Sequence, residues 1–409
     1  MTTELRPLRE SDWDTWFDTL DVVFGGVPDT PERRAWWRTV TEVPRDIAVW
    51  DGDAIVGTTG AFSFGLTVPG GAEVATAGVT TVGVLPTHRR RGALRSMMRH
   101  QLADVHERGE ALAALTATEP AIYGRFGYGA ATQELRMSVD TVRLAAPALP
   151  GVDDVRLRLV DPVAGLAACE RVYERLVPTR PGMLARRPGW ERQGVLDPEA
   201  ERHGAGHLQC VLAEVDGEVR GYARYAVKPD WDQAGPRGVV QLRQLDALDP
   251  VVHAALWRHL FGIDLTASVV TRSRPVDEPL LHLVPDQRRL DAGVREALFL
   301  RPVEVGAALA ARTYQAPVDV VLEVADAFCP WNAGRWRLSG DAKGASCERT
   351  TDPAELALSV RELGSAYLGG FALSALAGAG RVRELRPGAL AAASLAFGSD
   401  PAPWLPHGF

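Results

Sequence analysis

The residues with the clearest chemical potential form a basic run that ends at a glycine. Residues 88–95 read His-Arg-Arg-Arg-Gly-Ala-Leu-Arg, directly after an apolar stretch at 79–85. A helix N-terminus offers unpaired backbone N–H groups and partial positive charge, and a glycine there lets the backbone approach a phosphate closely. Arginines add charge-assisted hydrogen bonds. The run therefore predicts a pyrophosphate-binding loop rather than a basic cluster that only solvates a helix start.

The apolar stretch before this loop predicts a second recognition element. A ligand arm that carries amides can pair with a strand edge, and a strand N–H can polarise a reacting carbonyl. A pyrophosphate, an amide-bearing arm and a thioester carbonyl together describe acetyl-coenzyme A, the cofactor that we expect here. The expected cofactor-binding residues are Val82, Gly83, Val84, Arg90, Arg91, Gly92, Ala93, Leu94, Arg95, Thr118 and Glu119.

An α/β unit must position this loop. Residues 9–24 carry apolar side chains at helical spacing, and Thr30 followed by Pro31 marks the start of a second helix. An Asp-Gly pair between apolar runs, at 51–52, predicts a hairpin. The stretch at 79–85 reads as a strand that leads through the basic loop into an amphipathic helix. A buried strand is expected at 112–118.

The chain then repeats this pattern. Residues 210–221 parallel residues 47–57: each has a strand, an Asp-Gly turn, a strand and a glycine. An apolar strand at 239–248 and a helix at 250–261 follow, as in the first copy. We therefore expect two related α/β domains in tandem.

The second copy lacks the phosphate loop. Where the first copy has Leu-Pro-Thr-His-Arg-Arg-Arg-Gly at 85–92, the second has Leu-Asp-Ala-Leu-Asp-Pro at 245–250. Acidic residues without a glycine would repel a pyrophosphate, so one cofactor site per chain is expected. Residues 296–409 differ from both copies and read as an α+β module, with strands near 318–324 and 335–338 and helices near 355–363 and 388–397.

Composition narrows the class of protein. The 409 residues are 46% hydrophobic and carry a net charge of −7, which argues against a nucleic-acid partner. The four cysteines form no CxxC pair, so buried free thiols in a reducing cytoplasm are expected, without a metal site. We find no apolar stretch that predicts a signal peptide or a spanning helix, and we expect no membrane association.

Two motifs carry a resemblance to a known family. Residues 86–92 (Pro-Thr-His-Arg-Arg-Arg-Gly) and 122–129 (Ile-Tyr-Gly-Arg-Phe-Gly-Tyr-Gly) resemble the enhanced intracellular survival (Eis) family of the GNAT superfamily of N-acetyltransferases. The resemblance implies an N-terminal GNAT domain (1–150), a central degenerate GNAT domain (151–295) and a C-terminal domain like sterol carrier protein (296–409). It also implies a homo-hexamer.

The proton-transfer groups are less evident from the residues alone. Tyr123 is the best candidate acid, with Tyr128 as its rival, and a search for a base finds Glu119, His88 and His100. The resemblance implies that Tyr123 is the proton donor. It also implies that the C-terminal carboxylate, here on Phe409, is the base. Trp404, Leu405 and Phe409 are apolar and favour docking of the tail, whereas Gly408 departs from the family's acidic residue.

The acceptor is the least readable part. Trp13, Phe24 and Trp37 are candidates to wall an amine site through cation–π contacts. The resemblance implies aminoglycoside-like polyamines or lysine side chains as acceptors. The alternative function is a lipid- or small-ligand-binding protein in which the C-terminal module acts and the two GNAT halves serve as scaffold.

Overall fold

The computed structural model describes residues 3–409, and its first part follows the predicted α/β pattern. Thr30 accepts a hydrogen bond from the Arg33 N–H, and Pro31 starts the helix, so this cap is confirmed. The amphipathic helix after the basic loop buries Met97, Met98, Leu102 and Val105. The elements up to residue 130 are β1 (Glu4–Pro7), α1 (Trp13–Val23), α2 (Pro31–Val40), β2 (Ile47–Asp51), β3 (Ala54–Thr67), β4 (Glu73–Val84), α3 (Ala93–Glu107), β5 (Leu112–Thr116) and β6 (Gly129–Ala130).

The central part contains the predicted second hairpin, strand and helix. The elements are β7 (Gln133–Asp140), β8 (Arg156–Val160), α4 (Leu166–Leu176), β9 (Leu184–Ala185), β10 (Gln209–Val215), β11 (Glu218–Lys228), β12 (Trp231–Asp232), β13 (Gly235–Pro236), β14 (Gly238–Ala247), α5 (Pro250–Phe261), β15 (Thr266–Arg274), α6 (Leu280–Leu283) and β16 (Gly293–Glu296).

The last part corrects one expected helix. Residues 356–359 form a strand, because Ser359 and Glu362 make a reciprocal capping box that starts the helix only at Val360. The elements are β17 (Leu298–Pro302), α7 (Val305–Ala310), β18 (Val318–Ala325), β19 (Gly334–Asp341), β20 (Gly344–Arg349), β21 (Leu356–Ser359), α8 (Val360–Tyr367), α9 (Leu373–Gly378), β22 (Val382–Glu384) and α10 (Ala389–Phe397).

The duplication is visible in the two large sheets. The first has the order β1-β2-β3-β4-β5-β17-β6, with β9 beside β3, and the second has the order β16-β7-β15-β14-β11-β10-β8. In each copy a hairpin is followed by a strand, a helix and a second strand. The two strands on either side of the helix pair in parallel: β4 with β5, and β14 with β15. The register also shifts between β3 and β4 and between β11 and β14. The tandem α/β architecture is confirmed.

The third unit is a five-stranded sheet with helices, in the order β20-β19-β18-β21-β22. Two strands cross the domain limits expected from the sequence. β7, which precedes residue 150, pairs with β15, whereas β17, which follows residue 296, pairs with β5. Each of these two strands therefore lies in the sheet of a neighbouring unit.

Two further features concern the described residues as a whole. All four cysteines are free and buried, as the sequence predicts. Within residues 3–409, no helix is long and apolar enough to cross a membrane.

Candidate active site

The first sheet opens between β4 and β5. These strands pair only from Thr76 to Gly78 on β4 and from Leu112 to Ala114 on β5. Beyond Gly78, β4 continues to Val84 and still pairs with β3, so its other edge is free. This free edge includes Val82, Gly83 and Val84, and it can pair with an amide-bearing ligand arm.

The basic loop lies just beyond this free edge. Gly92 is the N-cap of α3 and has φ of 90°, in the left-handed region that favours glycine. The space where a side chain at Gly92 would point is open. Arg90, Arg91 and Arg95 are exposed, and none makes an ion pair with another of residues 3–409. The loop thus fits a pyrophosphate, since it offers open backbone and free cations.

The loop after β5 carries Tyr123 in a 3-10 helix, Pro120–Phe126. Val82, Leu94 and Tyr123 pack against the same apolar cluster, so the structure brings residues of the strand, the helix and the loop together. Thr118 and Glu119 are exposed at the start of this loop.

The buried Arg301 side chain holds the loop that carries Tyr123. Arg301 donates its Nε–H to the Phe126 carbonyl oxygen at 2.8 Å. It also pairs with Asp326 at 2.8 Å, and both side chains are almost fully buried. The position of Tyr123 therefore depends on a strand that follows it by more than 170 residues.

Burial separates the two rival tyrosines. Burial, with Glu119 nearby, raises the pKa of Tyr123 to about 12, so its hydroxyl keeps its proton at neutral pH. Tyr128 is 0% exposed, its hydroxyl has no hydrogen-bond partner among the described residues, and burial raises its pKa further. A ligand in the cleft cannot reach Tyr128 without rearrangement, which favours Tyr123.

The end of the chain lies at the mouth of the opening. Thr116 Oγ1 donates to a carboxylate oxygen of Phe409 at 3.5 Å, and the Phe409 ring packs edge-on against Phe64 at 5.2 Å. A methyl group added at Gly78 would lie 3.1 Å from the Phe409 ring. Trp404 and Leu405 are buried, so the tail is docked, as its apolar residues predict.

An aromatic cluster extends from the tail to α2. Trp190 lies 5.1 Å from Phe64 and 4.8 Å from Phe62, centroid to centroid. Phe62 in turn stacks on Trp37 at 6.1 Å. The half-buried Trp37 is therefore connected to Phe409 through ring contacts alone.

The other two candidates for the acceptor wall differ in exposure: Trp13 is buried and Phe24 is exposed. Trp13 is 1% exposed and packs in a core beneath Arg34 and Arg38, so its ring is covered and lines no open surface. Its apolar ring explains this position, since Trp13 faces the sheet from the start of α1. Phe24, at the C-terminal end of α1, is 56% exposed and open to contact.

Of the three side chains that the sequence offers as bases, His88 is held by a hydrogen bond and the other two are exposed. His88 contacts Asp51 at 3.0 Å, which ties the loop to the hairpin. His100 is exposed on α3, and Glu119 is exposed before the 3-10 helix.

Sequence reasoning missed Phe62, Phe64 and Trp190. The alternation of Phe62 and Phe64 along β3 was a usable signal, because both must face one side of the sheet. Trp190 lies in an irregular segment, and no local pattern marks it as part of the site.

Three segments match known domain families. Residues 4–131 and 182–302 each match an acetyltransferase (GNAT) domain, and residues 305–406 match a sterol carrier protein domain. These matches agree with the two related sheets and the separate third sheet. They also agree with the free strand edge and the phosphate loop, because GNAT domains use acetyl-CoA.

Full-length relatives point the same way. The chain is 63% identical to an uncharacterized N-acetyltransferase of Streptomyces avermitilis, over 100% of both chains. It is 35% identical to N-acetyltransferase Eis of Mycobacterium tuberculosis, over 98% of each. The crystal structure of Eis1 from Mycobacterium abscessus superposes with a TM-score of 0.86 at 33% identity, covering 100% of both chains. The chain is therefore an acetyltransferase that acts on an amine acceptor, and it belongs to the Eis family of GNAT N-acetyltransferases.

Proposed function

We propose that this enzyme transfers acetyl groups directly to amines of aminoglycoside-like polyamines or of lysine side chains, with Tyr123 as general acid and the Phe409 carboxylate as general base. The observation that carries the proposal is the position of Phe409 at the opening between β4 and β5, beside Thr116 and Gly78. A group there can reach both an acceptor and the free edge of β4.

The carboxylate of Phe409 takes the proton of the acceptor. An α-carboxyl group has an ordinary pKa of about 3.5, so it is ionised at neutral pH. An acceptor ammonium that binds beside it can lose a proton to it and become nucleophilic. The Thr116 hydroxyl, which already donates to Phe409, helps to orient the group.

The hydroxyl of Tyr123 must supply a proton rather than accept one. Its pKa of about 12 keeps the proton available throughout the neutral range. A protonated hydroxyl beside the departing sulfur can donate a hydrogen bond to the charge that develops there. Phe409 and Tyr123 thus serve two separate proton transfers, one from the acceptor amine and one to the departing sulfur.

The cofactor site follows the predicted residues. The free edge of β4 pairs with the pantetheine arm, and the N-terminus of α3 with its arginines holds the pyrophosphate. When bound, acetyl-CoA supplies an activated thioester. The proposed cofactor-binding residues are Val82, Gly83, Val84, Arg90, Arg91, Gly92, Ala93, Leu94, Arg95, Thr118 and Glu119.

The acceptor wall is built from Trp37 and Phe24. The half-buried Trp37 and the exposed Phe24 offer ring faces to a cationic amine. Trp13, which is buried beneath arginines, supports this wall from the core.

Incubation with acetyl-CoA and separate polyamine, diamine and lysine-peptide acceptors tests the proposal. Intact-mass measurement should show addition of acetyl groups, and titration of free thiol should show equivalent coenzyme A release. Reaction with no member of the panel, while acetyl-CoA binds, would overturn the acceptor class.

The third unit favours one second candidate. Because residues 305–406 match a sterol carrier protein domain, a lipid-binding role is the alternative function. Thermal-shift titration separates the two, since a ligand that binds only the folded state raises the melting temperature by mass action. A shift with fatty ligands and none with acetyl-CoA would favour the alternative.

The assembly is proposed to be a homo-hexamer, on the basis of the family resemblance. Sedimentation-velocity analysis would measure its mass directly. A monomer or dimer at micromolar concentration would exclude it.

A further inference from the structure

The tail that ends at Phe409 is anchored mainly by residues of the central unit. Arg180 donates to the Ala402 carbonyl oxygen at 2.6 Å, and the Trp404 N–H donates to Pro181 at 2.9 Å. Gln193 donates to the Gly408 carbonyl oxygen at 3.3 Å. The central unit therefore contacts both ends of the final segment.

One imidazole in this tail accepts a hydrogen bond from a central arginine and packs beside a central tyrosine. Arg186 Nε donates to His407 Nε2 at 3.3 Å, and the Tyr173 hydroxyl lies 3.2 Å from the same nitrogen. The Tyr173 hydroxyl itself donates to the Leu184 carbonyl oxygen at 2.8 Å. Arg186 is fixed in turn, because it pairs with Glu170 at 2.7 Å and its guanidinium stacks on Tyr173 at 3.4 Å.

These contacts fix the tautomer of His407. Because Nε2 accepts from Arg186, the imidazole proton must be on Nδ1. Nδ1 lies 3.3 Å from the Gly408 carbonyl oxygen, which accepts from it. Burial, with the charge of Arg186, lowers the pKa of His407 to about 3, so the ring is neutral at the pH of catalysis.

We infer that His407 is a positioning residue: Arg186 holds its ring by a hydrogen bond, Tyr173 packs beside it, and the ring holds Gly408 so that the Phe409 carboxylate faces the opening between β4 and β5. The inference rests on the proposed role of Phe409 as the base. It also gives the central unit, which lacks a phosphate loop at 245–250, a task in the reaction.

The geometry explains why such a lock matters. A flexible chain end samples many positions, and glycine at 408 adds freedom next to the reacting group. The imidazole removes that freedom, because it is bonded on one side to a rigid unit and on the other to the Gly408 carbonyl. A misplacement of about 1 Å in a catalytic group can lower the rate about 100-fold.

Replacement of His407 by Leu and by Gln tests the lock. His407→Leu keeps the volume but removes the acceptor for Arg186, and kcat should fall about 100-fold with unchanged acetyl-CoA affinity. His407→Gln returns a neutral acceptor for Arg186 near the Nε2 position but no donor to Gly408 near Nδ1, so only part of the lost kcat should return. The matched control is His259→Leu. His259 lies in the central unit and contacts Tyr225 at 3.0 Å, away from the tail.

A double variant separates positioning from general stability. If His407 acts only through Phe409, His407→Leu should lower kcat no further in a chain that already lacks Phe409. An equal further loss in that background would overturn the inference. Should His407→Leu fail to fold, Arg186→Lys provides the same comparison, because it keeps a positive charge beside Glu170 and removes the Nε–H donor to His407.

The outcomes also distinguish this inference from the proposed function. Full kcat after deletion of Phe409 would overturn the assignment of the base, and the lock with it. Loss of kcat on that deletion, together with wild-type kcat for His407→Leu, would overturn the lock alone.

Discussion

The Thr116 hydroxyl at the end of β5 donates to a carboxylate oxygen of Phe409, 293 residues further along the chain. This contact lies where β5 separates from β4, and the Phe409 ring covers Gly78 on the other strand. Two strands of the first unit and the end of the third unit thus meet at one point. The proposed active site therefore uses segments that are far apart in the chain.

Deletion of Phe409 should lower kcat about 10²- to 10⁴-fold, because it removes the proposed base and moves the new carboxylate out of reach. The affinity for acetyl-CoA should change little, since the free edge of β4 and the loop at Gly92 are intact. Steady-state kinetics and calorimetric titration with acetyl-CoA measure the two effects.

Phe409→Leu is the matched control for this deletion. It keeps the carboxylate and changes only the ring that packs on Phe64. It should retain much more of kcat than the deletion does. Equal losses in the two variants would assign the effect to packing and remove Phe409 as the base.

Tyr123→Phe should lower kcat about 10²- to 10⁴-fold without a large change in acetyl-CoA affinity, since it removes only the donor hydroxyl. With a pKa of about 12, Tyr123 should cause no loss of rate between pH 7 and 10 in the wild-type enzyme. A pH profile of kcat measures this. An alkaline loss that disappears in Tyr123→Phe would contradict the assignment.

Tyr128→Phe is the control in the same loop. Its buried hydroxyl has no partner among the residues that the structure describes, so its removal should leave kcat and the melting temperature close to those of the wild type.

Much of the fold could be predicted because its signals are local. The cap at Thr30 and Pro31 and the Asp-Gly turn at 51–52 involve neighbours in the sequence, and both are confirmed. The absence of a glycine and arginines at 245–250 likewise predicted that the second copy had lost its phosphate loop. Local side-chain chemistry decides these features, so they are readable without coordinates.

The remaining parts of the site depend on contacts between distant segments. Tyr173 and His407, which meet at 3.2 Å, are 234 residues apart, and neither stands in a motif. The exchange of β7 and β17 between sheets depends on tertiary packing, which no periodicity reports. By contrast, the later start of the helix expected at 355–363 is a local feature, because Ser359 and Glu362 form a capping box whose Ser-x-x-Glu pattern is visible in the sequence.

Arg91→Gln should weaken acetyl-CoA binding and reduce the dependence of its affinity on salt, because an exposed cation that contacts phosphate is screened by ions. Gly92→Ala should also destabilise the fold by about 1–2 kcal/mol, since its φ of 90° is unfavourable for a residue with a side chain. Calorimetric titration at two salt concentrations and thermal unfolding measure these effects. Arg175→Gln, which changes an exposed arginine in the central unit, is the charge control.

Arg301→Met should destabilise the protein by about 3–5 kcal/mol, because it leaves the buried Asp326 carboxylate without its partner. It should also lower kcat, since Arg301 holds the Phe126 carbonyl beneath the Tyr123 loop. Denaturant unfolding and steady-state kinetics measure both. Arg337→Met breaks an exposed pair with Asp319 and should change the unfolding midpoint little.

Asp46→Asn should raise the melting temperature at pH 8 and raise it less at pH 5. Asp46 is 4% exposed, and its Oδ2 atom has no hydrogen-bond partner among the described residues. Burial, with Glu42 nearby, raises the pKa of Asp46 well above its ordinary value. A group whose pKa is raised on folding contributes stability below its unfolded pKa and loses it as pH rises through the folded pKa.

Thermal unfolding of both proteins across this range checks the sign. Asp319→Asn is the control of opposite sign, because hydrogen bonding to Arg337 lowers the pKa of that exposed carboxyl. Removing this exposed carboxylate should lower the melting temperature only slightly, and most at high pH, because the pair is screened by solvent. If Asp46→Asn lowered the melting temperature more at pH 8 than at pH 5, the Asp46 carboxylate would have to be ionised and paired in the folded protein.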